Sequence, residues 1–87
     1  MTTRSGEMAS AQIGVIGEIT GLSEGNFRKE VGFNIKNDSE SAVILELNLW
    51  GMQPGEFVKT RIDTGWNPEI VREIRQTSQV LNLKFGY

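Results

Sequence analysis

The sequence contains no cysteine and no histidine. The first absence removes disulfides and thiolate chemistry. The second removes the commonest zinc and copper ligand and the usual base of a hydrolytic triad. Charge of one sign is also missing. Nine basic and eleven acidic residues are interspersed for a net charge of −2, and no basic cluster is larger than the pair Arg28-Lys29. Nucleic-acid-binding domains show a basic stripe and a high pI, whereas the pI here is about 5.1, so no nucleic-acid partner is expected. No apolar run approaches the roughly 18 residues that span a bilayer, so no membrane partner is expected either. Residues 1–12 are polar and carry no hydrophobic signal region, which points to synthesis in the cytoplasm.

What is present fits one small domain. A chain of 87 residues buries only about 60–65% of the surface its unfolded form exposes, so its core is thin. With disulfides and thiolate metal sites excluded, partner subunits are the remaining source of extra stability.

Residues 1–11 are small and polar without a period of 2 or 3.6, and read as a flexible N-terminal arm preceding a β-rich domain over residues 12–87. From there the chain alternates. Ile13, Val15, Gly17 and Ile19 fall on one face. After the turn GLSEGN come Val31, Phe33 and Ile35. After NDSES come Val43, Leu45, Leu47 and Leu49, with a mixed opposite face of Ala42, Ile44, Glu46, Asn48 and Trp50. The loop GMQPGE leads to Val58, Thr60 and Ile62, and the last stretch alternates through Leu81, Leu83, Phe85 and Tyr87. This is period-2 patterning in residues that favour strands.

Residues 67–76 break the pattern. Asn67 suits a helix N-cap, Pro68 the first helical position and Glu69 the positive end of the helix dipole. Ile70, Val71 and Ile74 then share a helical face, and Trp66 is placed to staple onto Val71. The expectation is therefore five strands with one short helix near residues 67–76. That argues for a small antiparallel β-sandwich or barrel, Ig-like or jelly-roll-like.

Residues with chemical potential are few. Asp63, Glu69 and Glu73 lie in one stretch, but spacing and neighbouring Arg72 and Arg75 suit a solvated surface better than an acid–base pair. Gly14, Gly17 and Gly21 do not match the dinucleotide fingerprint. Asp38 and Glu40 fall short of the ligands a calcium loop requires. Asn37-Asp38-Ser39 formally matches a glycosylation acceptor, which has no meaning without secretion. No catalytic residue, metal or cofactor is expected.

Trp50, Trp66, Phe57 and Tyr87 are the aromatics of interest, because aromatic side chains are enriched at interface hot spots. The stretches FNIKNDSESAVILELNLWG (residues 33–51) and VKTRIDTGWNPEIVREI (residues 58–74), with TGWNPEIV at residues 64–71 the most distinctive part, resemble small head-associated (auxiliary or decoration) virion proteins of crAss-like tailed bacteriophages. The resemblance implies a non-enzymatic structural protein present in many copies of a virion. It would be made in the host cytoplasm, contact major capsid or other head proteins, and form a homo-oligomer such as a trimer. On this reading the contact residues are Met1, Thr2, Thr3 and Arg4 of the arm together with Trp50, Trp66 and Tyr87. The alternative is a carbohydrate- or protein-binding module of sandwich fold, which requires Trp50 or Trp66 to face solvent.

Overall fold

The computed structural model describes residues 13–87. These form seven strands: β1 (Ile16–Glu18), β2 (Phe27–Asn37), β3 (Val43–Leu49), β4 (Val58–Ile62), β5 (Gly65–Trp66), β6 (Val71–Ile74) and β7 (Leu83–Gly86). The expected arm, including Met1, Thr2, Thr3 and Arg4, lies outside the described residues.

All pairings are antiparallel, in the order β1-β7-β2-β6-β3-β4, with β5 also on β2. The eleven-residue β2 is the spine. Its C-terminal half, from Asn34 to Asn37, pairs with β7, while Phe27, Arg28 and Phe33 pair with β6. Ile19, just after the first edge strand, and Ile62, in the last, belong to one buried cluster with Phe33, Ile35, Leu45, Leu47, Val71, Ile74, Leu83 and Phe85. Residues at opposite ends of the strand order share a core only because the sheet curls, which gives the sandwich-like mainly-β architecture.

The alternation sorts the side chains as the sequence implies. Leu45 and Leu47 of β3, Ile62 of β4 and Leu83 and Phe85 of β7 point inward. Phe27, Phe33 and Phe85 form an aromatic triangle with ring centroids 5.5–6.1 Å apart, a spacing at which edge-to-face and tilted pairs attract. Val31 departs from the pattern: the register between β2 and β6 slips between Arg28 and Phe33, and Val31 is exposed.

The helix expected over residues 67–76 is not formed. β5, an extended segment and β6 occupy this region instead. The apolar i, i+3 pair that suggested a helix, Val71 and Ile74, is fully buried on one side for another reason. Asn48 pairs with Glu73 and Leu49 with Val71, so Arg72 is an extra residue in β6. A β-bulge of this kind reverses the facing parity beyond it. Two inward residues three apart are then compatible with a strand.

Asn67 also acts differently from a helix cap. Its side chain is buried. Its Oδ1 accepts from the Asp63 N–H at 3.0 Å, and its Nδ2 donates to the carbonyls of Asp63 at 2.9 Å, Gly65 at 3.1 Å and Ile35 at 3.3 Å. The Asn67 N–H donates to the Ile35 carbonyl as well. The asparagine thus closes the turn between β4 and β5, where Gly65 has φ +87°, and locks it to β2. A turn held by its own Asx side chain and anchored to a core strand outcompetes an isolated helix of under ten residues, which is marginal in water.

Candidate interaction surface

Two further buried asparagines hold loops in the same manner. Asn37 Nδ2 donates to the carbonyls of Ser41 and Ile62, both at 3.1 Å, and its Oδ1 accepts from the Ser39 N–H at 2.8 Å, fixing the NDSES turn. Asn48 Nδ2 donates to the carbonyls of Gln53 at 2.7 Å and Glu56 at 2.8 Å, fixing the GMQPGE loop beside Trp50. Each satisfies loop carbonyls that would otherwise be shielded from water without partners. Their polar positions on strands were visible in the sequence, but their targets become identifiable only once the strands pair.

These anchored loops frame one outer face of the curled sheet. Along β2 the inward residues are Phe33, Ile35 and Asn37, so Gly32, Asn34 and Lys36 point outward. Residues 66–70 run beside them in extended form. Trp66 stands opposite Lys36, and Asn34 Nδ2 donates to the Glu69 carbonyl at 2.9 Å. Ile70 lies over Gly32, whose missing Cβ leaves room for the isoleucine side chain and the Trp50 ring. In this segment Asn67 and Val71 are buried while Trp66, Pro68 and Ile70 are exposed, the alternation of an extended strand with one face to solvent.

Gly86 supports the other end. A Cβ there would stand 2.6 Å from Trp66 Cη2, 3.0 Å from Trp66 Cζ3 and 2.8 Å from Ile13 Cγ2. The Trp66 ring thus rests on bare backbone of β7. At the opposite end, the Trp50 N–H donates to the Ile70 carbonyl at 2.9 Å, and the Arg72 guanidinium lies 5.5 Å from the Trp50 ring centre while donating to the carbonyls of Trp50 and Met52. The result is one apolar stripe, from Ile13 and Trp66 through Pro68 and Ile70 to Trp50. Trp66 is 41% exposed and Trp50 50%.

Of the expected contact residues, the fold therefore brings Trp50 and Trp66 together on this stripe. Tyr87 is 41% exposed but belongs to the opposite face of β7, where its ring stacks on Phe85 at 6.1 Å with an interplanar angle of 10°. Phe57 sits under Arg75, whose guanidinium is 5.7 Å from its ring centre. Ile70 and the two glycines beneath the stripe were not recognised from the sequence. In the sequence, the spacing of Ile70, Val71 and Ile74 fits a helical face and so hides the place of Ile70 on the stripe.

Charge flanks the stripe in balanced pairs. Lys84 donates to Asp38 at 2.6 Å and lies 3.7 Å from Glu18, and Lys36 lies 3.4 Å from Asp38. The hydrogen bond from Lys84 holds the Asp38 carboxyl below its ordinary value, with Lys36 adding to the effect against partial desolvation. The same bond to Asp38 raises the Lys84 ammonium. The carboxylates considered for catalysis do not converge: Asp63 pairs with Arg61 at 2.8 Å, Glu73 accepts from Asn26 at 2.9 Å, and the shielded Glu69 Oε1 meets no hydrogen-bond partner among the described residues. Among the described residues no three metal-binding side chains come together, and no helix is long and apolar enough to cross a membrane.

No family model, curated protein or solved structure matches this chain.

Proposed function

We propose that this chain is a non-enzymatic structural protein that works by docking: a small homo-oligomer associated with the head proteins of a tailed-bacteriophage virion. The observation that carries the reading is the stripe from Trp66 through Ile70 to Trp50. Two tryptophans and an isoleucine, each at least 41% exposed, are held on one face by backbone hydrogen bonds and by glycines that leave room for them. A chain this small gains little by offering its largest apolar side chains to water, and exposed apolar patches of this kind mark association sites. In the oligomer the stripe is covered by a second copy. The virion context comes from the resemblance of residues 33–51 and 58–74 to head-associated proteins.

Particles purified from a host culture infected by the phage that carries this sequence test the virion context. Quantitative mass spectrometry of gradient-banded particles is expected to find the chain at a fixed ratio to the major capsid protein. Its loss from the banded particles, with the chain recovered in the soluble fraction, would overturn that context.

A second reading, a carbohydrate-binding module, is favoured by the solvent exposure of Trp66 next to the charge-balanced residues Lys36, Lys84, Asp38 and Glu18. It predicts changes in tryptophan fluorescence with soluble oligosaccharides that Trp66→Ala abolishes. A flat titration across neutral and acidic oligosaccharides removes it.

A further inference from the structure

β4 is the last strand of the sheet, and among the described residues nothing pairs with its outer edge. Which backbone groups that edge offers follows from one hydrogen bond. The Glu46 carbonyl accepts from the Arg75 N–H at 2.9 Å, so Glu46 directs its backbone groups toward the β6 side of β3. In an antiparallel ladder, successive residues direct their N–H and C=O groups to alternate sides. Val43, Leu45 and Leu47 therefore bond to β4, through their register partners Ile62, Thr60 and Val58. The N–H and C=O groups of Lys59 and Arg61 are left pointing outward, a two-residue docking edge.

The side chains at this edge decide what it accepts. Lys59 and Arg61 are exposed on the same face, beside exposed Ile44. Arg61 reaches Asp63 and Arg75 reaches Glu46. Lys59 makes no ion pair among the described residues. A second copy of β4 aligned about Thr60 places Lys59 opposite Arg61. Centring the pair on residue 59 places Lys59 opposite Lys59, and centring it on residue 61 places Arg61 opposite Arg61. The second register also brings Lys59 opposite Asp63, whose N–H and C=O are already taken by the Asn67 side chain and cannot extend the ladder. Like charges directly opposite one another across strands are destabilising, and an edge lysine is a known guard against self-pairing. The same charges favour a strand with carboxylates at alternate positions.

We infer that the β4 edge is a strand-addition site for an extended acidic segment of another protein, and that it is closed to a second copy of this chain. The site is separate from the tryptophan stripe and does not depend on it. Main-chain bonds to Lys59 and Arg61 supply affinity, and the charge pattern supplies selectivity.

The test uses the full chain and a labelled synthetic peptide of about six residues, the usual length of a strand, with alternating valine and glutamate. A second peptide with lysine replacing glutamate is the control, and binding is read by fluorescence anisotropy. The acidic peptide binds and the basic one does not. Arg61→Gln weakens binding by removing one charge. Arg61→Pro weakens it by about a further tenfold by removing an outward N–H, while Ile62 and Thr60 keep their bonds to β3. Lys59→Glu combined with Arg61→Glu reverses the preference, with circular dichroism confirming that the fold is retained. Equal binding of the two peptides overturns the inference. So does an Arg61→Pro variant that binds as Arg61→Gln does, since attraction to surface charge alone then explains the affinity.

Discussion

The Trp66 ring rests on the backbone of Gly86, with its Cη2 atom 2.6 Å from the point a Cβ would occupy. The contact fixes one end of the exposed stripe and depends on position 86 having no side chain. Gly86→Ala must therefore move the ring or the strand. The atoms in the way, Trp66 Cη2 and Cζ3 and Ile13 Cγ2, are side-chain ends that can swing aside, so the cost stays at or below the lower end, about 1 kcal/mol, of what overpacking exacts in a core. The expected outcome is a lower melting temperature together with a red shift in tryptophan emission as Trp66 is pushed into solvent. An unchanged spectrum and stability would show that the ring does not lie on the glycine.

Asn67 is expected to matter more for stability than any exposed aromatic. Asn67→Ala removes an acceptor and a donor that serve the turn between β4 and β5 and its tie to Ile35. Leaving shielded backbone groups unpaired costs about 1–3 kcal/mol. Asn67→Asp keeps the acceptor and loses the donor, so it should not restore stability. Urea denaturation of the two variants measures both effects.

The dependence of stability on pH has a defined sign. The folded state lowers the Asp38 carboxyl below its reference value of 3.8, chiefly through the hydrogen bond from Lys84. Its contribution is therefore present above that value and lost as pH falls through the depressed folded value. The folded state raises Lys84 above 10.5, chiefly through the bond to Asp38. That contribution is present below 10.5 and lost as pH rises through the raised folded value. Between these limits the pair contributes evenly. Asp38→Asn should flatten part of the acid-side decline in melting temperature and leave the neutral plateau level. A decline identical to that of the parent chain would assign acid sensitivity to other carboxylates.

The two tryptophans are expected to separate stability from association. Neither lies in the buried cluster, so Trp50→Ser and Trp66→Ser should each keep the far-ultraviolet dichroism of the parent and unfold cooperatively. Their effect should be seen in self-association. Core substitution gives the opposite pattern: Leu47→Ala, at a fully buried site, costs about 2–5 kcal/mol.

Much of the fold is legible in the sequence because period 2 is a strong signal wherever one face is buried. The alternation through Leu45 and Leu47, and through Leu83 and Phe85, identifies both strands and their inward faces. Residues 67–74 misled for a specific reason. Asn-Pro-Glu followed by apolar residues three apart satisfies the local rules for a capped helix, and only tertiary pairing reveals that Arg72 is a bulge and Asn67 a turn clip. The stripe was legible in part. Trp50 and Trp66 were recognisable as aromatics of interest, but their placement on one face depends on the path of residues 66–70. Gly32 and Gly86 became meaningful only when that path laid side chains across them.

The most direct test of the docking proposal is the solution mass of the full-length chain, measured by light scattering across a concentration series, beside Trp50→Ser and Trp66→Ser. The account predicts a discrete closed oligomer, a trimer or another closed form, that either substitution reduces to monomers without loss of fold. A monomer at every concentration, or an oligomer whose mass neither substitution changes, would contradict the claim that the face from Trp66 through Ile70 to Trp50 joins copies of this chain.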